Sequence, residues 1–127
     1  MTMVDFDGRL FTALADPYVE SGLEFQKFPL EIVRPYALGA TSGLGLGGQD
    51  LIITLADPSA LVAFSIAAKA DTEVIAEDNS KNVLDRRSLS PSNAVQRTFV
   101  VSAAGNIRRI RIVCSDQGSS LVDVRTV

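Results

Sequence analysis

Residues 49–70 read QDLIITLADPSALVAFSIAAKA, two apolar runs broken by one compact turn signal. The first run, Leu51-Ile52-Ile53-Thr54-Leu55, is rich in Leu, Ile and Thr. The second alternates Val62, Phe64, Ile66 and Ala68 against Ala63, Ser65 and Ala67, which is the period of a half-buried strand. Between them stands Ala56-Asp57-Pro58-Ser59-Ala60. Proline presets a turn dihedral and biases Asp57 towards an extended conformation, while the Asp and Ser side chains can bond nearby amides. The stretch is expected to form a β-hairpin whose buried face carries Leu51, Ile53, Leu55, Val62, Phe64 and Ile66.

Working outward, residues 30–33, 72–76, 82–84, 95–102, 107–114 and 121–127 read as further strands, separated by polar or glycine-containing turns. Residues 23–28 alternate as a strand and are cut off from 30–33 by Pro29, which fits an edge strand or one that changes direction. Turn signals recur at intervals of roughly 8 to 12 residues with no long amphipathic helix, the pattern of an all-β sandwich or barrel. Two readings fit residues 4–22: short strands around the Asp7-Gly8 turn, or one or two helical turns over residues 9–15 ended by Asp16-Pro17. Residues 35–48 hold five of the nine glycines in the chain. Gly43, Gly45 and Gly48 formally satisfy G-x-G-x-x-G, but the motif opens a strand where a dinucleotide site needs a helix. The segment is expected to be a flexible crossing from one sheet to the other.

Composition bounds the function. The 127 residues fit a single β-sandwich domain spanning the whole chain. A net charge of −3 argues against phosphate backbones or anionic lipid as partners, so nucleic acid is not expected. Mean hydropathy is +0.21, yet no apolar run approaches the roughly 18 residues of a membrane span, and membrane insertion is not expected. The lone cysteine, Cys114, shares a face with Ile110 and Ile112 and reads as a small core residue. Arg109 and Arg111 fall on the opposite face, the pattern of a solvated strand surface. The chain has no histidine, which removes the commonest general base and most zinc sites, and no spacing singles out a carboxylate pair. An enzyme is not expected.

The order Val4-Asp5-Phe6-Asp7, Tyr18-Val19-Glu20-Ser21-Gly22-Leu23-Glu24-Phe25, Asp50-Leu51-Ile52-Ile53-Thr54-Leu55 with Pro58 and Val62-Ala63-Phe64, then Phe99, residues 107–112 and Leu121-Val122-Asp123-Val124 resembles the jelly-roll domains of bacterial exported proteins. Many of those carry PEP-CTERM sorting signals. The resemblance implies an antiparallel two-sheet β-sandwich of jelly-roll type, and a structural calcium held by Asp5, Asp7 and Asp123. It also implies an extracellular or cell-surface setting if the chain is a trimmed domain. The first residues show no signal-peptide pattern, so a cytoplasmic setting is expected otherwise.

Two functions follow. A hydrophobic chain with few aromatics suits a structural or adhesive module that works through protein contacts or self-association as a homo-oligomer. The alternative is a carbohydrate-binding module. With no Trp and two Tyr residues, its sugar site would centre on Tyr36, beside the glycine segment, with Arg34, Asn79, Asn82 and Arg86 as polar helpers.

Overall fold

The structure, a computed structural model, describes residues 2–115 and 118–127. Thirteen strands and no helix occur among them: β1 (Thr2–Asp5), β2 (Ala13–Leu14), β3 (Tyr18–Glu20), β4 (Leu23–Gln26), β5 (Leu30–Val33), β6 (Gly43–Gly45) and β7 (Leu51–Ser59). The remainder are β8 (Leu61–Ala67), β9 (Thr72–Glu77), β10 (Val83–Leu89), β11 (Gln96–Val101), β12 (Ile107–Cys114) and β13 (Ser120–Thr126). Every pairing between these strands is antiparallel.

They form two sheets. One runs β11, β8, β13, β6, β5, β2, with β1 added alongside β13; the other runs β10, β9, β12, β7, β4, β3. The β-branched alternation of each long strand sends one face inward, and the two inner faces meet in a continuous core of Phe6, Phe25, Leu51, Ile53, Phe64, Ile66, Ile110, Ile112, Leu121 and their neighbours. Phe6 and Phe25 meet edge to face across the layers at 5.3 Å between centroids, joining the segment after β1 to β4. The fold is the expected all-β sandwich of two antiparallel sheets, and Cys114 lies in its core.

The expected hairpin at residues 49–70 is not one. β7 pairs with β4 and β12, whereas β8 pairs with β11 and β13, so the two arms lie in opposite sheets. The physical reason is a wide bulge. Thr54 opposes Arg109 and Ser59 opposes Ile107, so five steps along β7 face two along β12. Exposed Ala56, Asp57 and Pro58 take up that slack, and proline is tolerated where the ladder is already broken. The strand bends at the bulge, and the chain enters the second sheet through Ala60. The hydroxyl of Ser59 fastens the bend: it lies 2.8 and 2.7 Å from the carbonyls of Leu61 and Val127, which share its one proton. All six expected core residues are buried, facing one another from the two sheets.

The glycine segment also departs from expectation, because it does not cross between sheets. β5 and β6 are neighbours in one sheet, with Ile32 opposite Leu44. Gly43 belongs there for steric reasons: a β-carbon would stand 3.0 Å from both the Leu121 carbonyl and the Ser120 hydroxyl of β13. Residues 34–42 leave the sheet and fold back over its outer face. At the N-terminus the strand reading holds and the helical one does not. Gly8 turns the chain with φ 79°, but β1 then pairs with β13 and β2 with β5. β10 is longer than its expected three residues. Asp85, Arg86 and Arg87 continue it along a sheet edge, where charged side chains are tolerated because one flank has no strand partner.

Candidate functional site

The outer faces of the two sheets differ in what their charges do. On the sheet containing β12, the charges pair with one another. Glu77 takes both Arg109 and Arg111, the latter at 3.7 Å; Arg111 also reaches Asp50 at 3.6 Å, and Arg86 reaches Glu73 at 3.4 Å. Cross-strand register places Ile75 between Arg86 and Arg111, whose stems cover it to 2% exposure. The face is therefore half-buried and cross-linked, where the sequence alone suggested a simple solvated surface for Arg109 and Arg111.

On the sheet containing β8, the charges are left open. Register aligns Arg97, Ser65, Asp123 and Asp5 in one row across β11, β8, β13 and β1, and aligns Phe99, Ala63, Arg125 and Met3 in the next. The small side chains of Ala63 and Ser65 make a floor. Arg97 and Phe99 rise on one side, Asp123 and Arg125 on the other, so the walls stand two strand spacings, about 10 Å, apart. The result is a groove of about 310 Å³ that continues into a polar cleft of about 210 Å³ lined by Asp5, Asp7, Gly39, Val95, Arg97 and Asp123. Arg97, Arg125 and Asp123 make no side-chain hydrogen bond or ion pair among the described residues.

A bulge in β13 creates part of this arrangement. Leu121 opposes Ile66 while Asp123 opposes Ser65, so Val122 is an extra residue and both Val122 and Asp123 point to the outer face. Val122 packs with Ala37 and Ala67 and anchors the returning segment, leaving Asp123 to face the groove. Leu38 closes that segment against residues 93–95, its amide donating to Asn93 at 2.7 Å and its carbonyl accepting from Val95 at 3.1 Å. Asp7 ties down the other side of the segment. Its carboxylate accepts the amide and hydroxyl of Thr41 at 2.7 and 2.8 Å, first the amide and then the hydroxyl holding its pKa below the ordinary value. Phe99 is braced from behind. The Arg87 guanidinium lies 5.0 Å from its ring centroid and is held by Asp85, which also accepts the Val101 amide at 2.9 Å. Burial works against ionisation of Asp85, but the amides of Val101 and Arg86 and the Arg87 guanidinium outweigh it and hold the pKa low.

The residues expected to hold calcium are brought to one cleft. Asp5 and Asp123 are register partners, and Asp7 lines the same cleft. Yet Asp7 is committed to Thr41, Asp5 accepts the Asp7 amide at 2.9 Å, and Arg97 lines the same cleft. Among the described residues no three His, Cys, Asp or Glu side chains are grouped to hold a metal ion.

The expected sugar site is dispersed. Tyr36 is half exposed beside Lys69, whose ammonium lies 5.7 Å from the ring centroid, and Arg34 is close by in sequence. Asn79 and Asn82 belong to the turn that follows β9, at the opposite end of that strand from Lys69. There Asp78 accepts the Asn82 amide and side chain and the Ser80 amide, an arrangement that closes the turn. Arg86 faces outward on the other sheet, paired with Glu73. The groove residues Ala63, Ser65, Arg97, Phe99 and Arg125 were missed. The available signal was small residues alternating in β8 opposite an exposed Phe in β11.

Comparison with known proteins bears on the fold. No protein-family model matches the sequence, and no curated protein matches it. Among solved structures, an exo-β-agarase is similar at a TM-score of 0.53 and 15% identity, over 100% of this chain and 25% of the agarase chain. A variant of a family 29 carbohydrate-binding module is similar at 0.47 and 10% identity, over 91% of this chain and 85% of its own. The K3 adhesin domain of Lys-gingipain from Porphyromonas gingivalis W83 is similar at 0.39 and 12% identity, over 98% and 90% of the two chains. The agarase likeness shows a shared fold. Among the described residues no helix is long and apolar enough to cross a membrane.

Proposed function

We propose that this domain is a non-catalytic glycan-binding module that uses the groove over β8. The reading is carried by one observation: three charged side chains, Arg97, Arg125 and Asp123, surround a floor of small residues without pairing to each other, next to a braced aromatic ring. Adjacent hydroxyls of a sugar match the two oxygens of a carboxylate and the forked donors of a guanidinium, and the C–H face of a pyranose packs on an aromatic ring. Tyr36 has no part in this site.

The test is a glycan array followed by titration calorimetry of the best-bound glycan against Arg97→Ala and Asp123→Ala. Hydrogen bonds to charged groups contribute about 1.5–3 kcal/mol, so each variant is expected to bind roughly tenfold to a hundredfold more weakly. Neither side chain has a hydrogen-bond or ion-pair partner among the described residues, so the melting temperature should stay where it was. A blank array, or unchanged affinity in both variants, removes the reading.

A structural or adhesive module acting through protein contacts is the second reading. It is favoured by Phe11 and Phe28, both more than half exposed, which flank the outer face of β5 at Glu31 and Val33. Light scattering should then show a dimer that Phe11→Ser with Phe28→Ser converts to monomer. A monomeric mass for the unaltered protein at high concentration removes it.

A further inference from the structure

The groove is not the same at its two ends. Towards Leu61 and Val101 it is lined only by β8, β11 and β13, with no crossing segment among its walls. Towards Ala67 it stops. Ala37 is buried against Ala67 and Val122, and Leu38 is bonded to residues 93 and 95, so the two returning segments form a barrier across the sheet immediately beyond Ser65. Gly39 and Val95 are the residues of that barrier that line the cleft. The barrier is held from two sides, by the Val122 bulge below it and by the Asp7 bonds to Thr41 at its edge. Chemistry follows the same direction. Phe99 and Arg125 stand in the open part, while Asp5, Asp7, Arg97 and Asp123 crowd the closed part.

A ring inside a glycan chain must leave its site in two directions, through a glycosidic bond on each side. The closed part of this groove is barred on its Ala67 side by the returning segments, so a chain lying along the groove meets them at that end. A terminal ring needs only one direction, and it carries a free hydroxyl where an interior ring carries the second linkage. The cluster of carboxylates and guanidinium at the closed end suits that additional hydroxyl. We infer that the groove takes the end of a glycan chain and excludes its interior, an inference that rests on the glycan-binding reading above.

The experiment uses the whole domain with xylan, laminarin, mannan and agarose, each intact and after partial acid hydrolysis that multiplies chain ends at constant mass. Binding capacity per gram is measured by depletion, with Arg97→Ala as the groove-dependent control. Capacity is expected to rise by the same factor as the number of chain ends, and short oligosaccharides should compete fully with the parent polymer. Equal capacity before and after shortening, with Arg97→Ala still abolishing binding, overturns the inference and leaves the glycan reading intact. If no polymer and no oligosaccharide of the panel binds, the inference is overturned together with that reading.

Discussion

Replacing Phe64 with Ala should lower the stability of the domain by about 3–5 kcal/mol, the cost of removing a buried aromatic ring and leaving a cavity behind. Phe64 is 1% exposed and sits on the central part of β8, with Thr98 of β11 and Val124 of β13 directly beside it in register. Both flanking strands hold the backbone in place, so the surroundings have little freedom to collapse into the void. Denaturant unfolding should show a lower midpoint with an unchanged slope, since the surface exposed on unfolding is nearly the same. Phe64→Leu, which keeps much of the volume, should lose clearly less. An unchanged midpoint for Phe64→Ala would place the ring outside the core and contradict the two-sheet arrangement itself.

Glu77→Ala should cost about 2–4 kcal/mol, because it strands charge that the fold has already taken from water. Glu77 is 4% exposed and receives the Arg109 guanidinium directly, with Arg111 at 3.7 Å. The arginines remain a quarter to a third exposed and recover part of their hydration, which sets the figure below that of a fully enclosed pair. A double-mutant cycle with Arg109→Ala checks the origin of the loss: the second substitution should then cost much less in the Glu77→Ala background than alone. If the two losses simply add, the pair contributes nothing specific and Glu77 acts only through packing.

The candidate site was only partly legible in the sequence. Asp5, Asp7 and Asp123 were singled out together, and the structure does bring them into one cleft, because β1 pairs with β13. Their chemistry was not legible. That Asp7 would be used up by Thr41 depends on a contact between positions 34 residues apart. Arg97 and Arg125 carried no signal at all, since an arginine on the polar face of a strand looks the same whether it is ion-paired or open. Arg109 and Arg97 illustrate this: both are arginines within a strand, yet one meets Glu77 across the ladder and the other meets Ser65. The Val122 bulge was hidden because Leu121-Val122-Asp123-Val124 reads as plain alternation.

What the sequence determined by itself is most of the longer strands and which side of them is buried, as at Leu51, Ile53, Leu55, Val62, Phe64 and Ile66. Those follow from a period of two, a local property of the chain. Which sheet each strand joins was decided only by the tertiary structure. A hairpin and a bend between sheets present the same alternation on either side of the same Asp-Pro turn, and both bury the same residues. The difference lies in the partners: β7 finds β4 and β12, β8 finds β11 and β13, and the bulge at residues 56–58 lets the chain pass between them. The groove exists because of that passage, since it sets Ala63 and Ser65 between Arg97 and Asp123 as its floor.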